Sequence, residues 1–263
     1  MNLNNKTTMA TYKKRGGKPS TKTEKETSIE DGSTTAEVFN TLDESASRTE
    51  EWVIKNQKYI FIIVGLAAVL VLGFLGFDKF IQEPKESVAT NDMFQSQQYF
   101  DQAVNGASKD SLFTLALNGA DGKYGFLDIA EFYSGTKAGN LSNYYAGMAY
   151  LNMKDYTNAV TYLNAFSSED DVLGPIAKGG IGDAFVQLEQ LEDAYDYYVQ
   201  AAQLKSNDYT TPMYLYKAGV IGLKLGNNSK ALGFFNQIKS DFPDSTEAKD
   251  IDVFIGKAEA TIN

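Results

Sequence analysis

The chain contains no cysteine and no histidine in 263 residues. These absences exclude disulfides, thiol or imidazole nucleophiles, most zinc sites and anchoring through a lipidated cysteine. A chain without cysteine suits either redox compartment, so the absence does not place the protein. Proline is scarce at 5 residues, and alanine, leucine, tyrosine and lysine are plentiful, as in helical proteins. A third absence is local: residues 59–77, YIFIIVGLAAVLVLGFLGF, contain no charged side chain.

At the helical rise this run is roughly 28 Å long, close to the roughly 30 Å hydrocarbon core of a bilayer. A buried core helix would keep a polar face, and this run has none. A cleaved signal peptide would have a shorter apolar region and a small-residue cleavage site, whereas Asp78, Lys79 and Phe80 follow here. The run therefore reads as an uncleaved anchor over residues 58–78. Trp52 and Tyr59 suit one interface, Phe77 and Phe80 the other, and Lys55, Lys58 and Lys79 can extend to headgroups. Gly65, Gly73 and Gly76 supply no small-xxx-small pair for helix dimerisation.

The net charge of −10 is unevenly distributed. Residues 1–58 carry 10 Lys/Arg against 9 Asp/Glu, and residues 78–263 carry 14 against 25. Such an acidic body is repelled by nucleic-acid phosphates and anionic lipid, which argues against a nucleic-acid partner. Arg48, Lys55 and Lys58 precede the span, while Lys79 and Lys85 beyond it are accompanied by Asp78, Glu83 and Glu86. The positive-inside rule puts the N-terminal arm in the cytoplasm and the body on the other side.

Residues 1–35 have too few apolar side chains to offset chain entropy, and a disordered basic arm is expected. Its YKKRGGKPSTK stretch (12–22) could meet anionic headgroups or RNA, or could serve only to set topology. Met9 is a second candidate start. Residues 36–57, with Val38, Leu42, Trp52 and Val53, read as a short amphipathic juxtamembrane helix. Gln82–Pro84 is a candidate helix break. Residues 88–104 place Met93, Tyr99, Phe100, Ala103 and Val104 on one stripe. A helix at 108–117, a turn at 118–125 and a helix at 126–135 follow.

A pattern then recurs three times, in residues 144–166, 178–202 and 216–243. A small residue stands in a first helix (Gly147, Gly182, Gly219), then a polar turn, then Ala in a second helix (Ala159, Ala194, Ala231). A bulky residue follows four positions later (Leu163, Tyr198, Phe235). This pattern resembles the tetratricopeptide repeat, which also places Pro near the end of the unit, as Pro243 stands in the third. The signature Trp is missing, the first two units lack the terminal Pro, and the Ala spacings are 35 and 37. The resemblance implies an all-α fold: an N-terminal transmembrane helix, then a solenoid of helix-turn-helix repeats. Residues 88–140 would form a degenerate first unit, 141–244 three repeats, and 245–263 a capping helix.

Residues that could carry chemistry have simpler readings. Gly179-Gly180-Ile181-Gly182 lacks the Gly-Lys-Ser/Thr ending and preceding strand of a phosphate loop and falls in a first helix. Gly-rich NGADGKYG (118–125) reads as a turn. Glu169-Asp170-Asp171 lacks calcium-loop spacing. The carboxylates Glu189, Glu192, Asp193 and Asp196 sit on helix rims, without a sign of an apolar pocket that would tune an acid and a base. No catalytic, cofactor or metal residue is assigned, and the chain is not expected to be an enzyme. In the repeat family, partner-facing residues lie on the inner side of the first helix. Carried over by register, these are Tyr144, Met148 and Asn152, then Asp183 and Gln187, then Tyr216, Val220 and Lys224.

The layout of basic arm, one span and acidic repeat body is similar to that of the YfgM family of ancillary Sec translocon subunits. The similarity implies a bacterial inner-membrane protein with a periplasmic repeat domain. It would work beside the Sec translocon and a membrane-anchored periplasmic peptidyl-prolyl isomerase. Scaffolds of outer-membrane protein insertion, cytochrome maturation or cell division share the layout and form the alternative.

Overall fold

The computed structural model describes residues 34–106 and 109–262, with side chains from Thr49 onward. Most of the expected disordered arm, and the side chains of Val38 and Leu42, lie outside the described residues. Among the described residues every regular element is a helix, without strands, and the chain divides after Gly73 into two units.

In the first unit, helix α1 (Thr34–Phe77) takes in both the expected juxtamembrane helix and the apolar run, with no boundary between them. Among the described residues none of its apolar side chains is buried, and Leu70 and Leu72 are 67% and 68% exposed. This helix is long and apolar enough to cross a membrane.

The second unit begins with the end of that helix and a π-helical segment, Asp78–Gln82. Helix α2 (Glu83–Asn105) follows directly. The break expected at Gln82–Pro84 does not occur. Pro84 stands in the first turn of α2, where no intrahelical N–H bond is needed. The sequence instead shifts register through the wider π turn. Helices α3 (Lys109–Asn118) and α4 (Phe126–Phe132) come next. Three hairpins follow: α5 (Lys137–Asn152) with α6 (Tyr156–Ala165), α7 (Leu173–Gln187) with α8 (Leu191–Leu204), and α9 (Thr210–Lys224) with α10 (Asn228–Asp241). A short 3₁₀ turn (Glu247–Asp250) leads into α11 (Ile251–Ile262), which packs on α10. Each hairpin packs on the next, so the body is an α-solenoid with a covering helix at its C-terminal end.

The recurring small–Ala–bulky pattern has a steric meaning. A Cβ on Gly147 would lie 2.5 Å from Leu163 Cγ, and one on Gly182 would lie 2.7 Å from the Tyr198 ring. One on Gly219 would strike the Phe235 ring. In each unit the bulky residue of the second helix sits on the glycine of the first, which sets how closely the two helices cross. The alanine between them is fully buried in all three units.

The hairpin turns also repeat. Lys154, Glu189 and Gly226 have φ values of 64°, 60° and 77°. In each, the next N–H reaches back five residues: Asp155 to Tyr150 (2.9 Å), Gln190 to Phe185 (2.9 Å) and Asn227 to Gly222 (2.8 Å). This closes a Schellman motif on carbonyls the helix leaves open.

Loops into the first helices are closed by side chains. Asp170 Oδ1 accepts from the N–H groups of Val172 and Leu173 (2.8 and 2.7 Å), and Asn207 Oδ1 from those of Tyr209 and Thr210 (2.9 and 2.7 Å). At α5 a distant residue does this work. Glu86, on α2, accepts from Lys137 N (2.6 Å) and Ala138 N (2.9 Å), while Thr136 accepts from Gly139 N. On the α2 stripe, Met93 and Ala103 are buried, Tyr99 and Phe100 half-buried, and Val104 is exposed.

Candidate functional site

The first helices α5, α7 and α9 carry all eight residues expected to face a partner. The structure divides them into two groups. Asn152, Asp183 and Gln187 line one open cavity of about 420 Å³, together with Leu151, Lys154, Tyr156, Val186 and Tyr198. The cavity lies where the first hairpin meets the second. Asn152 and Gln187 occupy equivalent places in the last turns of α5 and α7. Both are exposed, with Asn152 Nδ2 donating to Met148 O (2.8 Å) and Tyr156 donating its hydroxyl to Gln187 Oε1 (3.4 Å).

The others have different surroundings. Tyr144 and Met148 are half-buried and pack on the cluster of Leu163, Phe166, Ala177 and Ile181. The Tyr144 ring lies 5.2 Å from that of Phe166, and burial raises its hydroxyl pKa above the ordinary phenol value. Tyr216 meets Phe254 edge-on at 5.0 Å, and Val220 packs into the C-terminal core. Lys224 is exposed in the last turn of α9. None of these five lines the cavity.

Asp183 in the cavity wall belongs to an ion pair that joins two repeats. Lys217 Nζ donates to both oxygens of Asp183, at 2.7 and 2.9 Å, and Tyr198 donates its hydroxyl to Asp183 Oδ1 at 2.6 Å. The ammonium also lies 5.4 Å from the Tyr198 ring centre and 5.6 Å from that of Tyr214. These two rings stack with centroids 6.3 Å apart. Burial, and then the nearby Asp183 charge, raises both hydroxyls far above the ordinary phenol value. Both hydroxyls stay protonated, and that of Tyr198 is the donor to Asp183. The site thus offers two exposed amides, the phenols of Tyr156 and Tyr198, short apolar walls, a paired carboxylate and the Lys154 side chain. Such polar and short apolar groups suit hydrogen bonding to a ligand across the junction of two repeats.

The glycine-rich GGIG stretch provides the room for this wall. Gly179, Gly180 and Gly182 are buried within α7. A Cβ on Gly179 would fall within the Tyr214 ring, and one on Gly180 would lie 3.1 Å from Leu163 Cδ1. The glycines let side chains of both neighbouring repeats lie on the α7 backbone. Among Glu169, Asp170 and Asp171, Asp170 caps α7 and Asp171 lies 3.9 Å from Lys205. Among the described residues, no group of three or more acidic side chains is placed to hold a metal ion.

Register reasoning on the first helices missed Lys217, Tyr214 and the turn residues Lys154 and Tyr156. One signal could have found Lys217. It stands 34 residues after Asp183, close to one repeat, and adjacent units bring such positions side by side. The Tyr156–Gln187 and Tyr197–Asn164 contacts, separated by 31 and 33 residues, follow the same rule.

A family model for the tetratricopeptide repeat matches residues 142–170 and 214–245. These segments hold most of the α5–α6 and α9–α10 hairpins, so the first and third units match, with the second lying between them. No curated protein and no solved structure matches the chain. Tetratricopeptide repeats mark a protein–protein interaction scaffold.

Proposed function

We propose that this chain is a membrane-anchored scaffold whose repeat body holds a partner protein or an emerging polypeptide in the groove at Asn152, Asp183 and Gln187. It acts by binding and not by catalysis. The observation that carries this reading is the cavity itself. Two successive first helices contribute equivalent exposed amides to it, beside the Asp183 carboxylate paired with Lys217 and the exposed Lys154 side chain. The apolar run of α1 supports the anchor. The cationic residues before the span, and the scarcity of uncompensated ones after it, favour a body outside the cytoplasm. On this reading the span lies in the bacterial inner membrane and the body in the periplasm. The role is that of an accessory subunit of the Sec translocon, working with a membrane-anchored periplasmic peptidyl-prolyl isomerase, as the layout shared with the YfgM family suggests. Tethering at the membrane raises the effective concentration of the groove near its partner without any new contact.

Affinity purification of the full chain in mild detergent, followed by mass spectrometry, tests this role. The expected result is recovery of translocon subunits, reduced by substitution of Asn152 and Gln187 with alanine. Recovery of outer-membrane insertion, cytochrome-maturation or division factors in their place would overturn the translocon role and leave the scaffold.

A further inference from the structure

The chain contains two Asn-Gly pairs, Asn105-Gly106 and Asn118-Gly119. In such a pair the glycine nitrogen can attack the preceding side-chain amide, because no Cβ obstructs the approach. Both asparagines are exposed and both end a helix, so the sequence does not separate them. The surrounding structure does.

Gly119 is held on every side. Its N–H donates to Leu115 O at 2.8 Å, and its φ of 77° fixes the turn. A Cβ there would lie 2.7 Å from Gly125 N and 2.8 Å from Tyr124 C, so the loop 123–125 lies against it. Rotation about the Asn118 backbone would break that bond and push into that loop. Gly106 differs. Its backbone is extended (φ −108°, ψ 179°), and its N–H makes no hydrogen bond among the described residues. The two asparagine side chains are held alike, each by one exposed bond from Nδ2 to the carbonyl four residues back, Asp101 O (2.9 Å) and Thr114 O (3.0 Å), so the difference lies in the glycines.

We propose that Asn105 is a site of spontaneous deamidation, and that Asn118 is protected. The Gly106 nitrogen attacks Asn105 Cγ, forming a C–N bond as its proton passes to the departing amide nitrogen. That nitrogen leaves as ammonia, and a cyclic imide remains. Water then opens the imide at either carbonyl, giving aspartate or its β-linked isomer. No oxidant or reductant is needed. The product carries a new carboxylate four residues beyond Asp101, in the last turn of α2. There it meets a like charge and the negative end of the helix dipole. It also loses the donor that held the Asp101 carbonyl, so modification loosens the end of α2 beside the first hairpin.

The test uses the full chain in mild detergent, incubated in mildly alkaline buffer made with heavy-oxygen water, then digested and sequenced by mass spectrometry. Labelled aspartyl and β-aspartyl peptides are counted at both positions over time. Attack at Gly119 first requires loss of its hydrogen bond, so Asn105 is expected to convert about tenfold faster, equal to about 1.4 kcal/mol of barrier. An Asn105→Gln variant should lose the signal at 105 and keep the slow one at 118. Equal rates at the two sites, a faster rate at Asn118, or an unmodified Asn105 would overturn the proposal.

Discussion

Asn207 illustrates how single side chains hold the loops of this solenoid. Its oxygen accepts from the first N–H groups of α9, and its Nδ2 donates to Asp171 O (2.8 Å), Lys205 O (3.1 Å) and Thr210 Oγ1 (2.7 Å). One residue thereby caps a helix and ties the loop to the preceding repeat. Asn207→Ala should lower stability by about 1–2 kcal/mol, measured as a lower denaturant midpoint with an unchanged slope. Asp170 has the equivalent place in the previous unit. Hydrogen bonds from Leu173 N and then Val172 N lower its pKa below the ordinary 3.8. A carboxyl with a lowered folded pKa contributes stability above its unfolded value and loses it as pH falls through the folded one. Acidification below about pH 4 should therefore destabilise the wild type more than Asp170→Asn. At the alkaline end, Tyr133 donates to Asp92 and its pKa is raised to about 12. Its contribution is full below its unfolded pKa of about 10 and is lost as pH rises toward the folded value. Tyr133→Phe should flatten the stability curve in that window, as read by thermal unfolding across pH.

Among the helices, the same residue type has opposite effects depending on what its missing side chain would meet. Gly182 lies under the Tyr198 ring, whereas Gly233 in α10 has nothing within 4 Å of its Cβ position. Gly233→Ala should stabilise by about 0.5–1 kcal/mol through helix propensity. Gly182→Ala should destabilise by about 1–2 kcal/mol, because the overpacking cost exceeds the propensity gain. Paired thermal melts of the two variants check both signs at once. The recurrence of glycine, alanine and a bulky residue was legible in the sequence because it records this local packing within one hairpin. The Glu86 cap on α5 was not, because its partners are 51 and 52 residues away and on another helix. The π-helical segment at Asp78–Gln82 was also missed, since Pro84 reads as a break until its place in the first turn of α2 is known.

At the scale of the whole molecule, the parts have separate tasks: an apolar helix of membrane-spanning length, and a solenoid with a polar groove between its first two hairpins. Register put Asn152, Asp183 and Gln187 on one side of the first helices, and the structure brings these three to one cavity. Register could not tell which aromatic positions were spent on packing. Tyr144 against Phe166, and Tyr216 against Phe254, depend on the next helix over. Nor could it show that Lys217 neutralises Asp183 across a repeat boundary. That pair is about one-third exposed, so its worth in stability is modest, about 0.5–1 kcal/mol. Its larger effect is on the site. Lys217→Met leaves the Asp183 carboxylate without its cation in the groove wall. It should weaken partner capture more than it lowers the melting temperature.

The most direct test of the central claim is a photo-activated crosslinker placed at Gln187 of the full-length protein in living cells. The account predicts adducts with another protein or with a newly made polypeptide chain, sharply reduced by Asn152→Ala. A crosslinker on the outward, exposed Lys230 of α10 should give none of these adducts. Equal adducts from both positions, or none from Gln187 in a folded protein, would contradict the groove as the binding surface.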